Sequence, residues 1–114
     1  MPEKILIADD ENDIVRLLQD YFEINGYEVL TAHNGAETLR QAERGPDIIL
    51  LDVNMPDIDG FSICTRIRGH VSCPILFLTA RVEDADRIHG FRAAGDDYIV
   101  MPFSIDVLGA PVAA

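Results

Sequence analysis

The sequence predicts an α/β fold in which helices cover both faces of a five-stranded parallel sheet. Five short strand-like runs alternate with stretches whose apolar residues recur at helical spacing. Four of these runs hold at least four consecutive apolar residues, a pattern typical of strands buried on both faces. Strict β-α alternation within 114 residues indicates a single domain, 1–114, built with right-handed crossovers.

The first unit combines a buried strand at Lys4–Ala8 with an amphipathic helix. Asn12 or Asp13 is expected to cap this helix, because short polar side chains accept the free amides of a first turn. The Asn25-Gly26 pair is expected to end it. The apolar stripe of this helix is expected to contain Ile14, Val15, Leu18, Phe22 and Ile24.

The second unit is shorter and more polar. Tyr27-Glu28-Val29-Leu30-Thr31 predicts an edge strand, because polar residues interrupt its apolar ones. Asn34-Gly35 is expected to open a helix over Ala36–Glu43, and Gly45-Pro46 to end it.

The remaining units repeat the pattern. Ile48–Asp52 predicts the third strand, and the turn residues up to Gly60 lead into a helix that closes near Gly69. Pro74–Leu78 and Asp97–Met101 predict the last two strands. A helix over Glu83–Ala94 and a final, truncated helix capped by Ser104 complete the pattern.

Composition limits the classes of function. Hydrophobic residues make up 48% of the chain, which is enough for a packed core. The net charge of −11 argues against direct binding of nucleic acid. No apolar run approaches the roughly 20 residues of a membrane span, and the start of the chain lacks a signal-peptide layout. We therefore expect a cytoplasmic protein in which Cys64 and Cys73 are reduced and half-buried.

Acidic residues gather where strands end. Asp9 and Asp10 follow the first strand, Asp52 ends the third, and Thr79 follows the fourth. In a flavodoxin-like sheet of order 2-1-3-4-5 the first and third strands are neighbours, and ligands bind at their carboxyl ends. Three crowded carboxylates favour a hard cation, so a Mg²⁺ site is expected. The competing interpretation is that Asp52 only caps a helix.

A series of short motifs runs along the chain in this order: Asp9-Asp10, Asp52, Met55-Pro56 with Gly60, Thr79-Ala80, Gly95-Asp96-Asp97-Tyr98 and Pro102-Phe103. With these motifs the chain resembles the receiver domain of a bacterial two-component response regulator over essentially its whole length. Its last motifs are most similar to the OmpR/PhoB-like subfamily, whose members carry a DNA-binding domain after the receiver; no such domain is expected within this chain.

The resemblance implies a role for each matching residue. Asp52 would accept a phosphoryl group from a histidine kinase. Asp10, Asp52 and the backbone carbonyl of Asn54 would hold Mg²⁺, with Asp9 acting mainly through a bound water. The hydroxyl of Thr79 would turn to the phosphoryl group and Tyr98 would rotate inward. The chain would then control an output, such as transcription, without being an enzyme beyond self-phosphorylation and autodephosphorylation.

The sequence departs from the family in two places. Met101 stands where the family has a lysine, so we expect phosphorylation but impaired switching. Val107 and Pro111 each remove one partner of a charge pair, with Arg87 and Asp97 respectively, in the subfamily's dimer face. A homodimer through the fourth helix, fifth strand and fifth helix is therefore expected to be weakened.

Two other functions stay open on the sequence alone. A pseudo-receiver that binds partners without switching would suit Met101. A Mg²⁺-dependent aspartyl phosphatase would use Asp57-Ile58-Asp59-Gly60, which superficially matches the D-x-D-G signature of haloacid-dehalogenase-type phosphatases. That signature follows an apolar strand directly, whereas Met55-Pro56 precede it here.

Overall fold

A computed structural model describes residues 3–79 and 97–100, with side chains over 3–78. One parallel sheet has the order β2-β1-β3-β4-β5, as the sequence predicted. The predicted helix over 83–94 and the final helix lie outside the described residues. No helix in the described part of the chain combines the length and apolarity that a membrane crossing needs. The elements are β1 (Lys4–Ala8), α1 (Asn12–Ile24), β2 (Glu28–Ala32), α2 (Gly35–Ala42), β3 (Ile48–Asp52), α3 (Gly60–Ile67), β4 (Ile75–Thr79) and β5 (Asp97–Val100).

Strands β1, β3 and β4 place side chains in the core on both faces of the sheet, which confirms the interpretation of their apolar runs. Ile49 and Leu51 of β3 pack into one core cluster, while Leu50 packs into the other. This division follows from the two-residue period of a strand, which sends neighbouring side chains to opposite faces. The first cluster holds buried residues of α2 and α3, and the second holds those of α1.

Helix α1 differs from prediction at two points. Its N-cap is Glu11, which makes no side-chain capping bond, so the prediction that Asn12 or Asp13 caps the helix was wrong. Ile24 is 85% exposed and does not belong to the apolar stripe. It lies two residues after Phe22, about 200° further around a helix of 3.6 residues per turn. The predicted end is confirmed, since Asn25 is the C-cap and Gly26 has a φ of 90°.

The edge position of β2 is confirmed, with its range one residue later than predicted. Asn34 caps α2 as expected: its side chain accepts the amide of Glu37 at 2.8 Å. Both cysteines are present as thiols and not as a disulfide. Cys64, a residue of α3, is fully buried in the core, which is deeper than predicted, and Cys73 is partly buried.

Candidate functional site

The acidic residues predicted to form a site lie together at the carboxyl ends of β1 and β3. These strands are adjacent and parallel, with Ala8 paired to Leu51, so the next residue of each faces the same edge. One carboxylate oxygen from each of Asp9, Asp10 and Asp52 lies within 4.8 Å of the other two. The predicted clustering is confirmed. Its cause is topological, because the sheet order places the ends of β1 and β3 side by side.

Asp9 is the buried member of the cluster, with only 3% of its surface exposed. Its amide donates to Ala32 O at 3.1 Å, and its Oδ1 accepts the amide of Glu11 at 2.9 Å. Burial raises the pKa of Asp9 from 3.8 to about 6, and the charges of Asp10 and Glu11 add to this, against the lowering effect of the Glu11 amide. The position therefore disfavours its charged form.

Asp52 is half-buried at the end of β3. Its Oδ1 accepts the amide of Asn54 at 3.1 Å, which fixes one oxygen and turns the chain away from the strand. Burial, followed by the charge of Asp9, raises the pKa of Asp52 from 3.8 to about 7. The helix-cap interpretation of Asp52 was wrong, because the next helix begins at Gly60 and is capped by Asp59.

The three carboxylates fit a hard divalent cation. Among residues 3–78, whose side chains the structure describes, no Lys or Arg forms a salt bridge with any of them. Like charges this close raise one another's pKa unless a cation offsets them. A set of carboxylate oxygens of this kind is suited to Mg²⁺, which prefers oxygen ligands and binds through one or two carboxylates.

The positions predicted for switching lie on the neighbouring strands. Asp52 of β3 pairs with Leu78 of β4, and Thr79 directly follows Leu78 in the chain. On β5, Tyr98 pairs with Phe77 of β4. The side chains of Thr79 and Tyr98 lie outside the described part of the structure, as do Met101, Val107 and Pro111 entirely.

One contact at this end of the sheet was not predicted. The carboxylate of Asp57, in the loop between β3 and α3, accepts the amide of Gly35 at 2.7 Å and that of Ala36 at 3.1 Å. It therefore caps α2, a helix more than twenty residues earlier. These amide hydrogen bonds, the largest from Gly35, lower the pKa of Asp57. An Asp in this loop indicates a turn, but no local sequence pattern indicates which helix its side chain caps.

The same geometry weighs against the phosphatase alternative. Both acids of Asp57-Ile58-Asp59-Gly60 are occupied by helix N-termini, since Asp57 caps α2 and Asp59 accepts the amide of Ser62 at 3.0 Å. Neither belongs to the carboxylate cluster. A nucleophilic carboxylate needs a free oxygen aimed at its substrate, which these capping bonds do not favour.

Comparisons with known proteins identify the family to which the fold belongs. The family model for the response regulator receiver domain matches residues 5–113. The chain is 45% identical over 116 residues to the alkaline phosphatase synthesis transcriptional regulatory protein PhoP of Bacillus subtilis, covering 100% of this chain and 48% of that protein. The chain thus spans about half the length of the curated relatives that it matches.

Two solved structures from Thermotoga maritima are similar. Response regulator TrrA, in complex with Mg²⁺ and BeF, has a TM-score of 0.82 and 35% identity, covering 96% of both chains. DrrB, described as an OmpR/PhoB homologue, has a TM-score of 0.82 and 31% identity, covering 98% of this chain and 51% of that one. The fold, the acidic cluster and these matches lead to one conclusion: the chain belongs to the response regulator receiver domain family.

Proposed function

We propose that Asp52 is the phosphoacceptor and that a histidine kinase is the donor. The observation that carries this proposal is the cluster of three carboxylates at the ends of β1 and β3. Within it Asp9 is buried, Asp10 is exposed and Asp52 is half-buried, with Oδ1 of Asp52 accepting the amide of Asn54. Asp52 is the member that ends β3, the position that the family resemblance gives to the phosphoacceptor, and it stays partly accessible to an incoming phosphoryl group.

The chemistry requires an ionised Asp52. A carboxylate oxygen attacks the phosphorus of a phosphohistidine, a P–O bond forms, and the P–N bond breaks with its electron pair leaving on the imidazole. The product is an aspartyl phosphate. Burial and the charge of Asp9 raise the pKa of Asp52 to about 7, so the apo pocket holds part of this carboxylate protonated near neutral pH.

Asp10, Asp52 and the backbone carbonyl of Asn54 would hold Mg²⁺, with Asp9 acting through a bound water. Bound there, the ion would neutralise charge on the carboxylates and on the phosphoryl oxygens. The like-charged, oxygen-only donor set supports this assignment. The Mg²⁺ and BeF in the related TrrA structure support it by analogy.

Thr79 and Tyr98 would carry the signal from Asp52. Thr79 would turn its hydroxyl to the phosphoryl group and Tyr98 would move inward, shifting a population between two states. The strand register supports the path, because Asp52 is paired with the residue before Thr79, and Tyr98 lies on the next strand.

Met101 would impair this switch, because a thioether supplies no positive charge where the family lysine would face the phosphoryl group. Labelling by acetyl phosphate should be slower in the chain than in its Met101→Lys variant, and the conformational response smaller. Equal labelling rates and equal responses in the two proteins would contradict this part of the proposal.

A homodimer of the OmpR/PhoB-like kind would be weak in this chain. Val107 and Pro111 leave Arg87 and Asp97 without the charged partners that the subfamily's dimer face uses. Size-exclusion chromatography should give the same elution volume before and after phosphorylation. A dimer that appears only after phosphorylation would contradict the proposal.

The chain would act as the single receiver domain, 1–114, of a cytoplasmic transcription regulator of the OmpR/PhoB-like subfamily. Its relatives include transcriptional regulators about twice its matched length, and DrrB is described as an OmpR/PhoB homologue. The acidic surface fits a regulatory part rather than a DNA-binding one.

Mass spectrometry after incubation with acetyl phosphate and Mg²⁺ tests the central proposal. The wild-type chain should gain one phosphoryl group on Asp52, and Asp52→Ala should gain none. Asp47→Ala is the matched control, because Asp47 directly precedes the amino end of β3 and lies outside the carboxylate cluster. No labelling of the wild type would favour the pseudo-receiver alternative, and turnover of a phosphate ester would favour the phosphatase.

A further inference from the structure

The loop between β3 and α3, residues 53–59, is hydrogen-bonded to the N-terminus of α2 through the side chain of Asp57. Asp57 uses one oxygen for the amide of Gly35 and the other for that of Ala36, at 2.7 and 3.1 Å. The first amides of a helix have no partner within the helix and carry partial positive charge, so a carboxylate suits them. Asn34 covers the next amide, that of Glu37, so the two caps serve different donors.

The loop also touches the helix through a glycine. A Cβ on Gly35 would lie 2.9 Å from Cβ of Ile58 and 3.1 Å from Oδ1 of Asp57. Two Cβ atoms essentially never approach each other this closely. The lack of a side chain at Gly35 therefore allows the loop to lie directly on α2. The polar bond of Asp57 and the apolar contact of Ile58 therefore act at one place.

The other end of the loop is fixed against the phosphoacceptor strand. The amide of Gly60 donates to Val53 O at 2.8 Å. A Cβ on Gly60 would meet the carbonyl oxygen of Asp52 and lie 2.9 Å from Cα of Val53, so no side chain fits there. The loop is thus held at one end by backbone packing against β3 and at the other by Asp57 on α2.

Asn54 lies between these two attachments. Its amide donates to Oδ1 of Asp52 at 3.1 Å, and only Met55 and Pro56 separate it from Asp57. Met55 is buried in the core, and a proline has a fixed φ, so the link between Asn54 and Asp57 is short and stiff. A displacement of Asp57 would therefore reach Asn54 and, through it, Asp52.

We infer that Asp57 is a positioning residue for the phosphoacceptor site: by capping α2 from the β3–α3 loop, it holds Asn54 in place beside Asp52. This inference rests on the proposed function, in which Asn54 and Asp52 hold Mg²⁺. Asp57 itself does not belong to the carboxylate cluster. The neighbouring acid Asp59 caps its own helix, α3, by accepting the amide and the hydroxyl of Ser62.

The test compares Asp57→Ala with Asn34→Ala in the full chain. Both variants remove side-chain acceptors from the N-terminus of the same helix, but only the first detaches the loop. Asp57→Ala should weaken Mg²⁺ binding, measured by isothermal titration calorimetry, about tenfold, as is usual when a group that orients a metal ligand is removed. Asn34→Ala should leave the Mg²⁺ dissociation constant within about twofold of the wild type.

Two further measurements separate positioning from stability. Hydrogen exchange followed by mass spectrometry, without Mg²⁺, should quicken over residues 53–59 in Asp57→Ala but only within α2 in Asn34→Ala. Asp57→Asn keeps one acceptor oxygen and should restore part of the Mg²⁺ affinity and of the acetyl phosphate labelling rate.

The outcomes distinguish this inference from the proposed function. If the wild type neither binds Mg²⁺ nor becomes labelled at Asp52, the proposed function fails, and the positioning role fails with it. If the wild type does both and Asp57→Ala matches Asn34→Ala in exchange and affinity, only the positioning role is wrong. Faster loop exchange with weaker Mg²⁺ binding in Asp57→Ala alone supports it.

Discussion

The two ends of the paired strands β1 and β3 satisfy their polar groups in opposite ways. At the amino end, the amide of Lys4 donates to Oδ2 of Asp47 at 2.8 Å, and the amide of Asp47 donates back to Lys4 O at 2.7 Å. The Lys4 ammonium also reaches Arg44 O at 3.3 Å. At the carboxyl end, the carboxylates of Asp9, Asp10 and Asp52 meet with no salt-bridging cation among residues 3–78.

This difference separates a part of the molecule that is complete by itself from a part that is arranged for a ligand. The amino end closes with hydrogen bonds that need nothing from solution. At the carboxyl end the pKa values of both Asp9 and Asp52 are raised, so ionisation of these two carboxyl groups opposes folding. A bound cation would relieve that opposition, and the following changes test the contrast from the largest expected effect to the smallest.

Gly60→Ala should have the largest effect, because it breaks the backbone packing beneath the carboxyl end. The added Cβ would meet the carbonyl of Asp52 and the Cα of Val53. These are backbone atoms, which cannot move without distorting the chain. We expect a loss of about 3 kcal/mol in the free energy of unfolding, measured in urea, although alanine is normally the better helix former. Labelling of Asp52 should fall as well.

Gly69→Ala is the control for that variant, because a Cβ at Gly69 meets nothing within 4 Å. Its free energy of unfolding should stay within about 0.5 kcal/mol of the wild type. Equal stabilities for the two alanine variants would contradict the packing argument at Gly60.

Magnesium should give the next largest effect. At a concentration about 100 times its dissociation constant, a ligand that binds only the folded state raises the free energy of unfolding by about 2.7 kcal/mol. The chain should show this rise in thermal or urea unfolding, and Asp52→Ala should lose most of it. A stabilisation by Mg²⁺ that is unchanged in Asp52→Ala would place the ion elsewhere.

The dependence of stability on pH should follow the raised pKa values. A carboxyl group with a pKa raised by folding binds its proton more tightly in the folded state, so its contribution favours folding at low pH. That contribution should be lost as the pH rises from 3.8 through about 6 for Asp9 and about 7 for Asp52. Asp52 keeps part of its contact with water, so we expect a smaller effect than that of Mg²⁺.

The measurement is the urea midpoint of the apo chain across this pH range, compared with that of Asp9→Asn. Asp9→Asn removes one of the two groups and lowers the repulsion on the other, so the wild type should lose more stability than the variant as the pH rises. Parallel curves for the two proteins would refute the electrostatic account of the cluster.

Asp47→Ala should have the smallest effect and should sharpen the contrast between the two ends. It removes the acceptor of the Lys4 amide at a solvent-exposed position, where water can replace the lost bond. The expected loss is at most about 1 kcal/mol in urea unfolding. Labelling of Asp52 and the response to Mg²⁺ should match the wild type; a loss of either would mean that the two ends are coupled.

Much of the fold could be predicted because local patterns determine it. Runs such as Ile48–Leu51 are typical of strands buried on both faces, and the alternation of strands with helices then favours a parallel sheet. The error at Ile24 arose from counting an apolar residue without its angle around the helix. The cap of α1 was mispredicted because several polar residues in succession offer competing N-caps.

The candidate site divides in the same way. The meeting of Asp9, Asp10 and Asp52 could be predicted, because strand ends and sheet order bring them together. The capping of α2 by Asp57 could not, because it joins residues far apart in sequence and depends on the path of an irregular loop. That contact also needs the lack of a side chain at Gly35. In the sequence, however, Asn34-Gly35 is like any other helix start.

The burial of Cys64 gives the molecule a built-in chemical reporter. Its thiol lies on α3, the helix that follows the β3–α3 loop, and is buried in the core. Cys73 is partly exposed in the loop after α3. An alkylating reagent should modify Cys73 in the native protein and reach Cys64 only when α3 leaves the sheet. The rate of Cys64 alkylation would thus measure the rate at which the helix next to the Asp52 site opens.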